Sequence, residues 1–135
     1  MAWDQQQFAT TLMTATDLST LQYYFVKMTA GLVVACTGAT DIPIGVLQNK
    51  PVGTAARPVG AEICYLGISK VNSNAALTSG DWIGPAADGQ ADAKTLATDA
   101  TEFVCGRMLT TTTTAGAIGT AMINCITPHN AVTAN

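Results

Sequence analysis

Charge is what this chain has least of. Lysine, arginine, aspartate and glutamate make up 11% of its 135 residues, against about 25% in an ordinary domain. With a net charge of −3 and a pI near 4.7, the surface has weak electrostatic protection against association, so part of it is expected to be covered by partners. The six basic residues, Lys27, Lys50, Arg57, Lys70, Lys94 and Arg107, are scattered singly, which leaves a nucleic-acid backbone no electrostatic footprint. No nucleic-acid partner is expected. No apolar run approaches the roughly 20 residues that span a bilayer, and no membrane partner is expected either. The first eight residues, MAWDQQQF, lack the basic start and apolar segment of a secretory signal. The expected site of synthesis is therefore a cytosol.

Catalytic equipment is equally sparse. The single histidine, His129, stands between Pro128 and Asn130 at the edge of a loose-looking tail, without the rigid framework a general base needs. Phosphate-binding loops, dinucleotide fingerprints, nucleophile elbows and His-Glu-x-x-His are all missing. Asp81 and Asp88 each sit in a glycine-containing turn, where aspartate ordinarily bonds its own backbone. Asp88, Asp92 and Asp99 match no calcium loop. Cys36, Cys64, Cys105 and Cys125 are far apart, with no Cys-x-x-Cys pair, and zinc spacing is absent. Each falls in an apolar run, and in a reducing compartment four buried thiols are the expected state rather than two disulfides. The expectation is a protein that is not an enzyme, with no cofactor and no metal.

What the chain does have is a succession of short strand-like runs in an alanine- and threonine-rich background. Alternating and β-branched stretches fall at residues 22–28, 32–36, 42–48, 61–71, 82–84, 103–109 and 118–126, separated by Gly, Pro, Asp and Asn turns. Ala30-Gly31 and Asp88-Gly89 mark tight turns. Residues 61–71 put Glu62, Cys64, Leu66, Ile68 and Lys70 on one face and Ile63, Tyr65, Gly67, Ser69 and Val71 on the other. Apolar groups on both faces mark a central or subunit-contacting strand. Six to eight strands and no secure helix predict an all-β single domain, a small β-barrel or β-sandwich, over residues 21–127, with an extended N-terminal arm at 1–20 and a flexible tail at 128–135.

The arm is rich in Thr and Gln, and its apolar groups keep neither a 2.0 nor a 3.6 period. A short helix starting at Asp4 is one option, because Phe8 and Leu12 would then share a face. Trp3, Phe8 and Leu12 are candidate anchors for a partner, with folding back onto the domain's own core as the alternative. Tyr23, Tyr24 and Trp82 complete the candidate contact residues.

Three runs carry a resemblance: residues 17–27 (DLSTLQYYFVK), 43–51 (PIGVLQNKP) and 67–71 (GISKV), followed more weakly by 77–83, 87–90 and 105–109. In order and spacing the chain resembles, over residues 15–127, the small capsid decoration or cement proteins of tailed bacteriophages. The resemblance implies a compact β-barrel-like fold, the major capsid protein as partner, attachment to the outer capsid surface of a virion made in a bacterial cytoplasm, and no catalytic site. The four cysteines, the five threonines at 110–114 and the Trp-containing arm depart from it. Proteins on a lattice copy its symmetry, which makes a homo-trimer the first expectation and a dimer the second. The competing class is a receptor- or glycan-binding β-module on the virion surface, for which Trp82, Tyr65 and the Tyr23-Tyr24 pair are the available aromatic platforms.

Overall fold

A long strand that changes partners along its length organises the chain. The structure, a computed structural model, describes Ala2 and residues 5–132, with side chains from Phe8 onward. The described residues form eleven strands and no helix: β1 Gln5–Thr14, β2 Phe25–Thr29, β3 Leu32–Ala35, β4 Gly45–Leu47, β5 Val59–Asn72, β6 Trp82–Pro85, β7 Ala91–Ala93, β8 Phe103–Val104, β9 Gly106–Met108, β10 Ile118–Asn124 and β11 His129–Asn130. Nine belong to one antiparallel sheet in the order β3-β2-β4-β5-β10-β9-β6-β7, with β1 also on β5. β8 and β11 form a separate pair. The protein is an all-β single domain, as its turn spacing predicts.

Local chemistry sets the turns. Ala30 and Gly31 both take positive φ, 51° and 80°, between the paired residues Thr29 and Leu32, the geometry of a type I′ hairpin turn that matches strand twist. Asp88 accepts a hydrogen bond from Gln90 N at 3.0 Å, and Gly89 turns at φ 89°. A Cβ at Gly89 would lie 2.9 Å from Phe25 O, so this turn needs glycine both for its φ and for its seat against β2. Asp81 likewise accepts from Thr78 N at 2.8 Å. Both aspartates are turn formers.

The curled sheet encloses two cores. Phe25 and Val46 belong to one, while their chain neighbours Val26 and Leu47 belong to the other. Because successive strand residues point to opposite faces, β2 and β4 are buried on both sides and separate the two. The smaller core gathers Leu18, Val26, Val33, Leu47, Ala61 and Ile63, with Leu12 packed against it. Its wall runs β1-β5-β4-β2-β3, and the two end strands meet where the buried Thr14 Oγ1 donates to Val33 O at 2.7 Å. The larger core includes Phe25, Leu77, Ile83, Met108 and Ile123 together with Cys36, Cys105 and Cys125.

Two segments expected to lie outside the β-domain are built into it. Residues 5–14 are neither a free arm nor a helix; they form β1, paired with β5 from Gln5↔Ile68 to Thr14↔Val59, with register shifts on either side of Phe8. Those irregularities break the alternation that marks a strand, and the threonines that obscure the pattern are good strand residues. After Pro128, expected to be loose, His129 and Asn130 pair with Val104 and Phe103, and Ala131 is fully buried with its N–H donating to Glu102 O.

The five-threonine segment is also ordered by its own hydroxyls. Thr110 Oγ1 accepts from Thr120 N at 2.9 Å, Thr111 Oγ1 from Ser79 N at 3.1 Å and Thr112 Oγ1 from Leu77 N at 3.1 Å. Thr112 and Leu77 also exchange backbone hydrogen bonds. All four cysteines are buried, Cys36, Cys105 and Cys125 as free thiols.

Candidate docking face

The register of β5, β10, β9 and β6 brings four distant residues into one row. Met122 is opposite Ile68 and also opposite Arg107, and Arg107 is opposite Trp82. Directly paired residues share a face, and here it is the face turned away from the larger core: Met122 is 47% exposed and Trp82 36%. A parallel row runs Phe8, Leu66 and Asn124. Between them is a groove of about 580 Å³ lined by Leu66, Ile68, Trp82, Arg107, Met122 and His129, among others. A second hollow of about 530 Å³, lined by Leu96 and Val132, shares Trp82 and His129 with it.

Arg107 is fixed from two directions. Its guanidinium carbon stands 4.3 Å from the centre of the Trp82 ring, a cation–π stack. Its Nε and Nη2 donate to Gly80 O at 3.2 and 3.1 Å. The His129 ring meets Trp82 edge-on, with centroids 6.3 Å apart. No carboxylate is among the groove's described lining residues, so Arg107 gives the groove a positive character in a chain of net charge −3.

The candidate contact residues do not converge on one place. Trp3 lies outside the described residues. Phe8, 48% exposed, stands beside Tyr65 with ring centroids 6.2 Å apart and pairs with Leu66 at the groove. Leu12 packs against the smaller core. Tyr23 is half-buried against the larger core at φ 70°, with Lys70 Nζ 5.7 Å from its ring centre. Burial, helped by the negative charge of Asp88, pushes the neighbouring Tyr24 phenol up. Trp82 is the member that lines the groove, at the end of its row.

Residues that sequence reasoning passed over supply most of the face. Arg107 and Met122 read as ordinary members of a closing hairpin, and His129 as a tail residue. The available signal was the apolar outer row of residues 61–71, Leu66 and Ile68, on a strand expected to be central.

Elsewhere the titratable groups are tied to structure. Lys94, its side chain fully buried, donates to Pro85 O and Glu102 Oε2, each at 2.8 Å. Burial pushes the Asp41 carboxyl up, but the Lys27 ammonium at 2.9 Å and the Thr37 and Gly38 N–H groups outweigh it and hold the carboxyl below its ordinary range. Burial, assisted by Asp41, pushes the Cys36 thiol up to about 12. A side-chain hydrogen bond with Cys105, followed by burial, raises Cys125 well above the ordinary thiol range. Such thiols stay protonated and unreactive at neutral pH. Among the described residues, no group of three His, Cys, Asp or Glu side chains is placed to hold a metal ion.

No protein-family model matches the chain, and no curated protein matches it. Among solved structures it is similar to the N base of head fiber gp8.5 in bacteriophage phi29, with a TM-score of 0.63 at 13% sequence identity, over 87% of this chain and 96% of that one. At that identity the likeness shows a shared fold.

Proposed function

We propose that this chain is a structural, non-enzymatic protein of a bacteriophage head that docks on the outer surface of the shell, bridges neighbouring major capsid subunits and stabilises the mature particle. The observation that carries this reading is the fold shared with a phage head fiber base over nearly the whole of both chains. The exposed apolar groove with its single fixed guanidinium supports it, because a contiguous apolar patch on a thinly charged domain marks an association surface.

Bridging would stabilise the shell by linkage: a ligand that binds only the mature arrangement of subunits stabilises that arrangement. Many copies on a repeating lattice make weak individual contacts collectively slow to release. Self-association as a trimer, or failing that a dimer, fits a lattice with rotational symmetry. The glycan-binding alternative is less well supported, since Arg107 stacks on the Trp82 ring and Lys70 stands over Tyr23, occupying ring surface that a sugar would use.

The test is to strip the protein from heads, follow DNA release on heating, and add the protein back. The expected result is a release temperature that rises with added protein and saturates, with poor binding to isolated capsid subunits. Stripped and replenished heads that release DNA at the same temperature would remove the cement reading and favour the receptor-binding one.

A further inference from the structure

The groove's chemistry narrows what can occupy it. Ile68, Met122 and Trp82 offer apolar surface, the Phe8 and Leu66 row borders it, and Arg107 with His129 supplies the only basic side chains among the described lining residues. A guanidinium held by stacking and by two hydrogen bonds to Gly80 O loses little side-chain entropy when it binds, and its planar fork suits a carboxylate. Four strands about 4.8 Å apart give the row a span of about 14 Å, the length of about four residues of extended chain. The volume of about 580 Å³ is ample for the side chains of such a segment.

We propose that the Ile68–Met122–Arg107–Trp82 row is the seat of an extended acidic-apolar segment of the head protein on which this chain docks, with one carboxylate paired to Arg107 and adjacent large apolar side chains lying on Ile68, Met122 and Trp82. This assignment rests on the reading of the chain as a head-bound protein. Charge complementarity selects the occupant: a basic segment would meet the guanidinium, and a purely apolar one would desolvate it without a partner.

The experiment uses the full chain and heads stripped of it. Arg107→Glu and Met122→Asp should each weaken head binding about tenfold or more while leaving thermal melting within a few degrees of wild type. Arg107→Lys should retain measurable binding. Treated with a zero-length carbodiimide on the heads, it should yield a cross-link, absent from wild type, between the introduced amine and an aspartate or glutamate of a head protein. Wild-type binding matched by both charge-bearing variants overturns the proposal, and so does a cross-link that joins two copies of this chain. Wild-type protein that does not bind heads overturns the head-bound reading and this one together, so the two failures are told apart by the wild-type arm alone.

Discussion

The two cores of this protein are closed by different means. The smaller is aliphatic throughout, Leu18, Val26, Val33, Leu47, Ala61 and Ile63, and its wall is a run of paired strands whose ends meet at one hydrogen bond, Thr14 to Val33. The larger holds an aromatic ring, a methionine and three thiols and is bounded by short strands and irregular segments as well as by the sheet. Regular ladders satisfy their own backbone groups, so the smaller core needs little buried polarity. Irregular chain beside a core leaves carbonyls to be satisfied, and there the structure spends a fully buried lysine, Lys94, on Pro85 O and Glu102. The groove is on the outer side of this second wall, where strands from four separate parts of the sequence meet.

The largest expected effect tests that asymmetry. Glu102→Ala leaves the buried Lys94 ammonium with Asp92 at 3.7 Å as its one counter-charge among the described residues. Because the Glu102 side chain is itself 22% exposed, the cost is expected at the lower end of the range for buried pairs, about 3 kcal/mol. Denaturant unfolding should show that loss, and native-state hydrogen exchange should place it in residues 82–108 before β1 to β4. A loss under about 1 kcal/mol, the range of exposed pairs, would mean that Lys94 is reached by solvent and that the two cores are closed alike.

A smaller loss is expected at the seam of the other core. Thr14→Val keeps the shape and deletes the donor to Val33 O, which is worth about 1–3 kcal/mol when a buried acceptor is left short of a partner. The same denaturant experiment measures it, with exchange now raised at β1 and β3. If Thr14→Val is neutral, the Thr14–Val33 bond does not hold β1 and β3 together.

How much of this could be read in advance follows the same division. β2, β3, β4 and β5 were legible because alternation, the Ala30-Gly31 turn and the proline boundaries agree with one another. β1 was hidden by its register shifts: Phe8 and Leu12, four apart, suggested a shared helical face, yet one stays exposed and the other packs inward. β11 is two residues long and exists through pairing with β8, a tertiary fact with no local pattern. Lys94 looked like one more solitary surface charge. The groove was unreadable as a unit, because Ile68, Trp82, Arg107 and Met122 become neighbours only through the registers of three separate strand pairs. Trp82 alone was singled out, on its aromatic character.

The last effect is a slope rather than an offset, about 1.4 kcal/mol per pH unit, and it distinguishes the cores by titration. Cys36 belongs to the larger core, and its thiol is raised from 9.0 to about 12; the residues of the smaller core carry no ionisable side chain. Between pH 9 and 12 the unfolded chain releases the Cys36 proton while the folded chain retains it, so the folded state binds more protons and stability falls as pH rises. Below pH 9 both states hold the proton and the contribution is constant. Denaturant midpoints measured from pH 8 to 11 for wild type and Cys36→Ala should therefore run parallel up to about 9, and the wild type should then fall more steeply. Cys125, raised in the same direction in part by Cys36 itself, is present in both proteins, so the difference between the two curves reports Cys36 together with its influence on Cys125. Parallel curves across the whole range would place the Cys36 thiol in contact with solvent, and the larger core would then be open at that corner.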